Sequence, residues 1–344
     1  MSEKKRTEIA ELGEFGLIDH LTKGFTVKNK NTLRGVGDDA AVIKAGRDDA
    51  MVVTTDSLLE GVDFDLTYFP LKHLGYKAVT VGVSDVLAMN AIPEQVMISL
   101  GVSSKLPVEA LEDLYEGVKF ACDEMGVDMV GGDTTASMTG LVINITTIGR
   151  AKRKSISYRS GAQFNDLICI TGNLGAAYMG LHLLEREKRV LRDVQNPEPQ
   201  FAGYEYLLQS YLKPRARKDI IDALAVEGIV PTSMIDLSDG LASEVMQICK
   251  ASKCGARIYL DRIPIAKQTT ALAEEMHIDP VVAALNGGND YELMFTVPLA
   301  MQEQIMSMGL VDIIGHITRE STGAYLVTPD GSDIKLRAQG FKEE

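Results

Sequence analysis

The sequence predicts a mixed α+β protein built as two units, on three observations. Runs of β-branched residues alternate with amphipathic helical stretches along the whole chain. A basic, polar segment near the middle separates two such alternations. The 344 residues, 45% of them hydrophobic, are enough for two cores at roughly 100–200 residues per domain. The boundary is expected near Ser160, giving units 1–160 and 161–344.

The first expected element is a short helix over 7–22, where Ile9, Leu12, Phe15 and Leu17 recur at helical spacing behind a Thr7 cap and an acidic first turn. A loose segment runs to Leu33. Then come a strand over 51–55, a helix over 74–89, a strand over 95–102 and a helix over 108–125. In that last helix Leu111, Leu114, Val118, Ala121, Cys122 and Met125 form one apolar stripe, while Glu112, Asp113, Glu116 and Lys119 face away. Such a helix should lie on a sheet. The run 141–148 is strand-like, and 152–159, ending in Ser160-Gly161, reads as the connection between units.

The second unit restarts with a strand over 166–171 and a glycine-punctuated helix over 174–184. A polar insert over 185–200 carries Pro197 and Pro199, and Pro214 should open a helix that runs to Leu224. Later strands are expected at 256–260, 291–297 and 324–327. No fixed-period repeat points to a solenoid.

Composition excludes several function classes. The formal net charge is -13 and no basic run interrupts the acidic background, which argues against nucleic acid as a partner, because phosphate-backbone affinity needs clustered cations. The N-terminal stretch lacks an apolar core behind its Lys and Arg residues, and nowhere are there roughly 18 consecutive apolar residues. The expectation is a cytoplasmic protein with no membrane partner. Cys122, Cys169, Cys249 and Cys254 contain no C-x-x-C pair and no histidine cluster accompanies them, so free thiols are expected. His20, His73, His182, His277 and His316 are isolated, and none is assigned a proton-transfer role.

The chemistry is written in the placement of aspartate. Gly37-Asp38-Asp39-Ala40-Ala41, Thr54-Thr55-Asp56-Ser57, Ser84-Asp85, Gly131-Gly132-Asp133-Thr134-Thr135 and Ile235-Asp236-Leu237-Ser238-Asp239-Gly240 each set carboxylates at strand ends or in glycine-rich turns. One such aspartate is often only a turn or cap residue. Carboxylates that converge beside apolar strands are partly desolvated, and they repel one another unless a cation intervenes. Magnesium suits this pattern, since it takes hard oxygen ligands and bridges them to substrate phosphates. The paired glycines would let backbone N–H groups approach phosphate closely. A metal-dependent enzyme acting on phosphates follows. The sequence has no G-x-x-x-x-G-K-[ST], no complete G-x-G-x-x-G and no kinase H-R-D with D-F-G, so any ATP site is built differently.

With these residues in hand, the chain resembles the thiamine-monophosphate kinases of the AIR-synthase-like, or PurM-like, superfamily. The matching stretches are GVGDDAAVI, TTDSLLEGVDF, GYKAVTVGVSDVLAMNAIP, GGDTTAS, SYRSGA, IDLSDGLASE and GGNDYELMFTV, in family order from about residue 10 to the C-terminus. The resemblance implies a two-domain PurM-like fold, with a mixed or antiparallel N-terminal sheet packed by helices and a C-terminal α/β-sandwich domain. It implies ATP- and Mg²⁺-dependent phosphorylation of thiamine monophosphate to thiamine diphosphate by direct in-line transfer, the last step of thiamine diphosphate biosynthesis. It also implies a homodimer formed through the N-terminal domains, which would bind ATP and several magnesium ions.

Carried over by position, Asp39, Thr54, Thr55, Asp56, Asp85, Asp133, Asp236 and Asp239 are implied metal ligands, with Asp56, Asp133 and Asp239 catalytic. Tyr115, Gly132, Asp133, Arg159 and Ser238 are implied ATP contacts. Arg159 independently suits a polyphosphate, because its planar fork of donors matches phosphate oxygens. Three acceptor-side positions differ from the usual family pattern: Asp63 stands where His is usual, Asn289 where Glu is usual and Phe341 where Trp or Tyr is usual. These three are the implied substrate-binding residues. A PurM-like kinase or ligase for a different small acceptor, or a nucleotide-binding module with little turnover, stays open on those departures.

Overall fold

The structure, a computed structural model, describes residues 8–192 and 199–338. Its N-terminal half contains a 3-10 turn Ile9–Glu11, α1 Gly13–Thr22, β1 Thr32–Arg34, β2 Ala41–Lys44, β3 Asp49–Leu59, α2 Leu71–Ala88, β4 Ile92–Val102, α3 Val108–Met125, β5 Asp128–Ala136 and β6 Val142–Lys152. The strands form one mixed sheet ordered β1-β2-β3-β6-β4-β5, antiparallel except for the β4–β5 pair. The C-terminal half contains β7 Leu167–Thr171, α4 Ala176–Leu191, α5 Glu205–Leu212, α6 Lys218–Glu227, β8 Ser233–Asp236, α7 Leu241–Ser252 and β9 Cys254–Tyr259. It continues with α8 Lys267–Glu275, α9 Pro280–Asn286, β10 Leu293–Val297, α10 Gln302–Met308, β11 Val311–Arg319, β12 Ala324–Val327 and β13 Asp333–Lys335. Its sheet is ordered β13-β12-β9-β11-β7-β10-β8.

The helix α2 organises the molecule. It is buried on nearly every side, polar residues such as Lys77, Thr80 and Ser84 included, because both sheets pack on its mainly apolar surface. Leu74, Val79, Val83 and Leu87 share one core with Val96, Ile98, Ile143 and Ile145 of the first sheet and with Met234, Leu293 and Phe295 of the second. Polar residues on α2 are therefore delivered to the seam between the two sheets. The opposite face of the second sheet is closed by α7, through Leu241, Val245 and Ile248. Among the described residues, no helix is long and apolar enough to cross a membrane.

Several expectations need correction. The stripe of α3 is buried, but it meets α2 rather than a sheet. Gly75 and Gly117 allow this: a Cβ on either would lie 2.0 Å from the Leu114 carbonyl oxygen or 1.9 Å from that of Lys72. β3 continues past residue 55 because its pairing with β6 persists to Leu59 opposite Val142, so Asp56 lies within a strand and not at its end. α4 runs on to Leu191 through good helix formers, with Arg186 ion-paired to Glu275 at 2.7 Å. Pro214 does not open a helix; α6 begins at Lys218, after Arg217 forks onto Asp219 and reaches Glu292. Thr7, the expected cap of the first helix, lies outside the described residues; a 3-10 turn precedes α1, whose first residue, Gly13, has a positive φ of 67°.

Candidate active site

Four segments meet at the seam. α2 brings Ser84 and Asp85, β3 brings Thr54 and Asp56, the turn before β2 brings Asp38 and Asp39, and β8 ends in Asp236. Asp39, Asp85 and Asp236 each place a carboxylate oxygen within 4.8 Å of the others. Two hydroxyls orient this trio: Ser84 Oγ donates to Asp236 Oδ2 at 2.6 Å, and Thr54 Oγ1 donates to Asp85 Oδ2. Asp39 Oδ2 and Asp56 Oδ2 are buried without a hydrogen-bond partner.

Burial and mutual repulsion penalise these charges. Burial pushes Asp236 up to about 7, with the Asp39 charge adding to it, and pushes Asp56 up to about 6, again with Asp39 adding. Burial, reinforced by Asp56, Asp236 and Asp39, raises Asp85 well above the usual carboxylate range. Asp39 is raised by burial against the pull of Arg159. Carboxylates this close, with orphaned buried oxygens, have the donor set of a divalent-cation site.

One cation is already in place. Arg159 donates to Asp39 Oδ1 from Nη2 at 2.6 Å and from Nε at 3.1 Å, and its backbone N–H donates to Asp38 Oδ1 at 2.8 Å. Arg34 pairs with the other oxygen of Asp38 at 2.9 Å. On the far side, Asp239 is raised by burial, and its N–H donates to Glu244 Oε1 at 3.0 Å. Ser238 accepts the Asn289 N–H at 2.7 Å through its carbonyl oxygen, which joins the 236–239 loop to the 287–292 segment.

The other sequence-predicted residues are distributed unevenly. Thr55 points to the opposite face of the first sheet from Thr54 and Asp56, where its hydroxyl meets Thr146 at 3.2 Å. Asp133 shares a cross-strand row with Ser99, Asn144 and Ser57, so it stands on that same open face. Three strand spacings of about 4.8 Å put it about 14 Å from β3. Gly132 approaches the Ile98 carbonyl so closely that a Cβ would lie 1.8 Å from its oxygen. Tyr115 lies on α3, half-buried against the shared core. Asp63 sits in a turn after β3, where Oδ2 accepts the Leu59 N–H at 2.8 Å. Phe341 lies outside the described residues.

Sequence reasoning gave no site role to four polar residues here: Asp38 and Ser84, which it noted only as members of aspartate clusters, and Lys77 and Glu244. Lys77 is fully buried on α2 and donates to Asn289 Oδ1 at 2.9 Å. A partial signal existed, since Lys77 and Ser84 are seven residues apart on one largely apolar helix, two turns along the same face. Glu244 is buried, and its carboxyl is raised well above normal by burial and by Asp239.

Comparison with known proteins adds the following. The model of the AIR synthase related protein N-terminal domain matches residues 37–151, and that of the C-terminal domain matches 166–327. Thiamine-monophosphate kinase of Buchnera aphidicola subsp. Schizaphis graminum is 34% identical over 340 residues, covering 96% of this chain and 98% of that protein. The same-named protein of Aquifex aeolicus is 34% identical over 335 residues, covering 97% and 99%. The solved structure of AaThiL complexed with AMPPCP and TMP is similar at a TM-score of 0.82 and 31% identity, covering 100% of both chains. Hydrogenase maturation protein HypE in complex with ATP, at 20% identity and a TM-score of 0.67 over 93% and 94% of the two chains, shares the fold.

Proposed function

The chain belongs to the thiamine-monophosphate kinase family of AIR synthase related proteins, with its two-domain PurM-like fold, and on that premise we propose how it phosphorylates thiamine monophosphate to thiamine diphosphate with ATP. An oxygen of the acceptor phosphate forms the new bond to the γ-phosphorus while the bond to the β–γ bridging oxygen breaks, and ADP leaves with that electron pair. Transfer of this kind needs positioning and charge neutralisation but no covalent enzyme intermediate.

Asp39, Asp56, Asp85 and Asp236 would hold divalent cations, magnesium by the chemistry of the donor set, with Asp239 and the Thr54 oxygens contributing at the margins, while the Thr55 hydroxyl, on the opposite face of the sheet, lies outside this cluster. Magnesium bound there would neutralise phosphoryl oxygens and hold the triphosphate. Ser84 and Thr54 fix Asp236 and Asp85 by donating to one oxygen of each, which leaves the second oxygens for ligation. Arg159 Nη1 has no hydrogen bond among the described residues, and with Ser238 it would meet the polyphosphate.

The working unit in this reading is a homodimer. β5 is an edge strand exposed along its whole length, including Met129 and Val130, and bare strand edges or faces of this kind are normally covered. Asp133 is separated from its own carboxylate cluster by three strand spacings and by the thickness of the sheet. Asp133, with its neighbour Gly132, would therefore serve the site of a partner subunit. We assign residues 1–160 to the ATP-, metal- and dimer-forming domain and 161–344 to its C-terminal companion, with the enzyme working in the cytoplasm.

The meeting of Asp39, Asp85 and Asp236, drawn from segments as much as 197 positions apart in numbering (236 minus 39), carries this reading. ADP release measured with and without thiamine monophosphate tests it. Release that depends on the acceptor is expected; nucleotide binding with no acceptor-dependent release would instead indicate a binding module.

A further inference from the structure

We propose that Lys77 is a positioning residue of the acceptor site: together with Tyr291 it turns the Asn289 amide so that the N–H₂ group is presented to the incoming acceptor as a hydrogen-bond donor. The inference rests on the kinase reading and deepens it.

Lys77 is 0% exposed and heads the largest fully buried side chains. A buried ammonium is costly unless something compensates it. Among the described residues it has no carboxylate within ion-pair distance. Its neighbours are Asn289 Oδ1 at 2.9 Å, the face of Tyr211 with the ring centre 4.2 Å away, and Phe69 at 5.6 Å. Burial pushes its pKa down to about 7, against the pull of Asp63.

These contacts settle the orientation of the amide. Protonated Lys77 can only donate, so in that form it faces the oxygen of Asn289, as the structure has it. Tyr291 donates its hydroxyl to the same oxygen at 3.3 Å, which occupies both lone pairs. The Nδ2 group then carries two N–H donors with no protein partner among the described residues. Asn289 cannot swing freely: its backbone is held at φ 60°, a conformation that Asn tolerates better than most residues, and its N–H is tied to the Ser238 carbonyl oxygen at 2.7 Å. The amide thus stands between the 236–239 loop and Lys77, offering donors where a carboxylate would offer only acceptors. The ligand atom it reads is a hydrogen-bond acceptor, either a phosphate oxygen or a ring nitrogen of the acceptor molecule.

The test is equilibrium binding of thiamine monophosphate to the full chain with magnesium and a non-hydrolysable ATP analogue, alongside KM and kcat. Lys77→Met and Asn289→Ala should each weaken acceptor binding about tenfold while binding of the analogue stays within about twofold. Their combination should be no worse than the worse single variant, since both remove one arrangement. Lys77→Arg should recover most of the loss, because its N–H groups can still reach Oδ1.

Asn289→Asp separates this role from a structural strut and also covers the case in which Lys77→Met does not fold. The new ion pair with Lys77 should raise thermal stability, yet acceptor binding should fall because the donors are gone. If the penalty disappears with unphosphorylated thiamine, the atom read is a phosphate oxygen; if it persists, a ring nitrogen. Unchanged acceptor affinity in Lys77→Met or Asn289→Asp, or additive losses in the double variant, overturns the inference. Failure of the unmodified protein to bind thiamine monophosphate removes the kinase reading and this inference with it, whereas normal binding with insensitive variants removes this inference alone.

Discussion

Ser84 Oγ lies 2.6 Å from Asp236 Oδ2, joining the central helix of one sheet to the last residue of a strand in the other. Its neighbour Asp85 accepts from Thr54 on the first sheet. Two consecutive residues of α2 thus face two different sheets, which is why the carboxylate cluster forms at the seam and in neither domain alone. Any change in how the sheets sit on α2 alters the distances among Asp39, Asp85 and Asp236.

The first prediction concerns that geometry. Asp85→Asn and Asp236→Asn should each lower kcat at least about 10²-fold, the scale of removing one electrostatic stabiliser. Ser84→Ala leaves every carboxylate present and should cost about tenfold, partly recovered at high magnesium. Steady-state kinetics across a magnesium series reads all three, and near-normal rates in both Asn variants would remove the cluster from the mechanism.

The second concerns the position of Asp133. If it serves the partner's site, Asp133→Asn and Asp85→Asn should each be nearly inactive alone but complement each other when mixed and allowed to exchange subunits. Random assortment makes about half of the dimers mixed, each with one intact site, so about one quarter of wild-type activity should return. A mixture as inactive as its components would place both residues in one subunit's site.

The third follows from the raised carboxyls. Asp236 at about 7 and Asp56 at about 6 hold protons in the folded protein that they have already lost in the unfolded chain. Folding therefore takes up protons, and their contribution to metal-free stability is greatest at low pH and is lost as pH rises through about 6 to 7. Magnesium competes with those protons. Its increase in melting temperature should be clearly larger at pH 8 than at pH 6, as measured by thermal unfolding with and without magnesium. An equal increase at both values would contradict the cluster as the binding site.

The fourth concerns stability alone. Gly75→Ala or Gly117→Ala forces a methyl group into a facing helix backbone, at the contact that lets α3 lie directly on α2. Each should cost about 2–3 kcal/mol in chemical denaturation, toward the upper end of overpacking penalties. The corresponding change at Gly228, where a Cβ meets nothing within 4 Å but φ is 66°, should cost less.

Much of the site was legible because aspartates framed by Gly, Thr and Ser beside apolar runs are chemically conspicuous, and Asp39, Asp85 and Asp236 do come together. Which face a strand residue takes was not legible. Thr54, Thr55 and Asp56 read as one motif, yet the strand period of two sends Thr55 to the opposite side of the sheet from its neighbours. Periodicity likewise identified the buried stripe of α3 but not its partner, since a stripe records burial and does not say whether a sheet or a helix covers it. Lys77 was hidden by its type, because lysine is ordinarily an exposed residue and only the tertiary arrangement of Asn289, Tyr211 and Phe69 reveals why it is inside.

The most direct measurement is chromatographic detection of thiamine diphosphate after purified protein is incubated with ATP, magnesium and thiamine monophosphate. Product should form in proportion to enzyme, with one ADP per thiamine diphosphate, and should vanish when magnesium is chelated. Nucleotide bound under those conditions, with no thiamine diphosphate formed, would contradict the account.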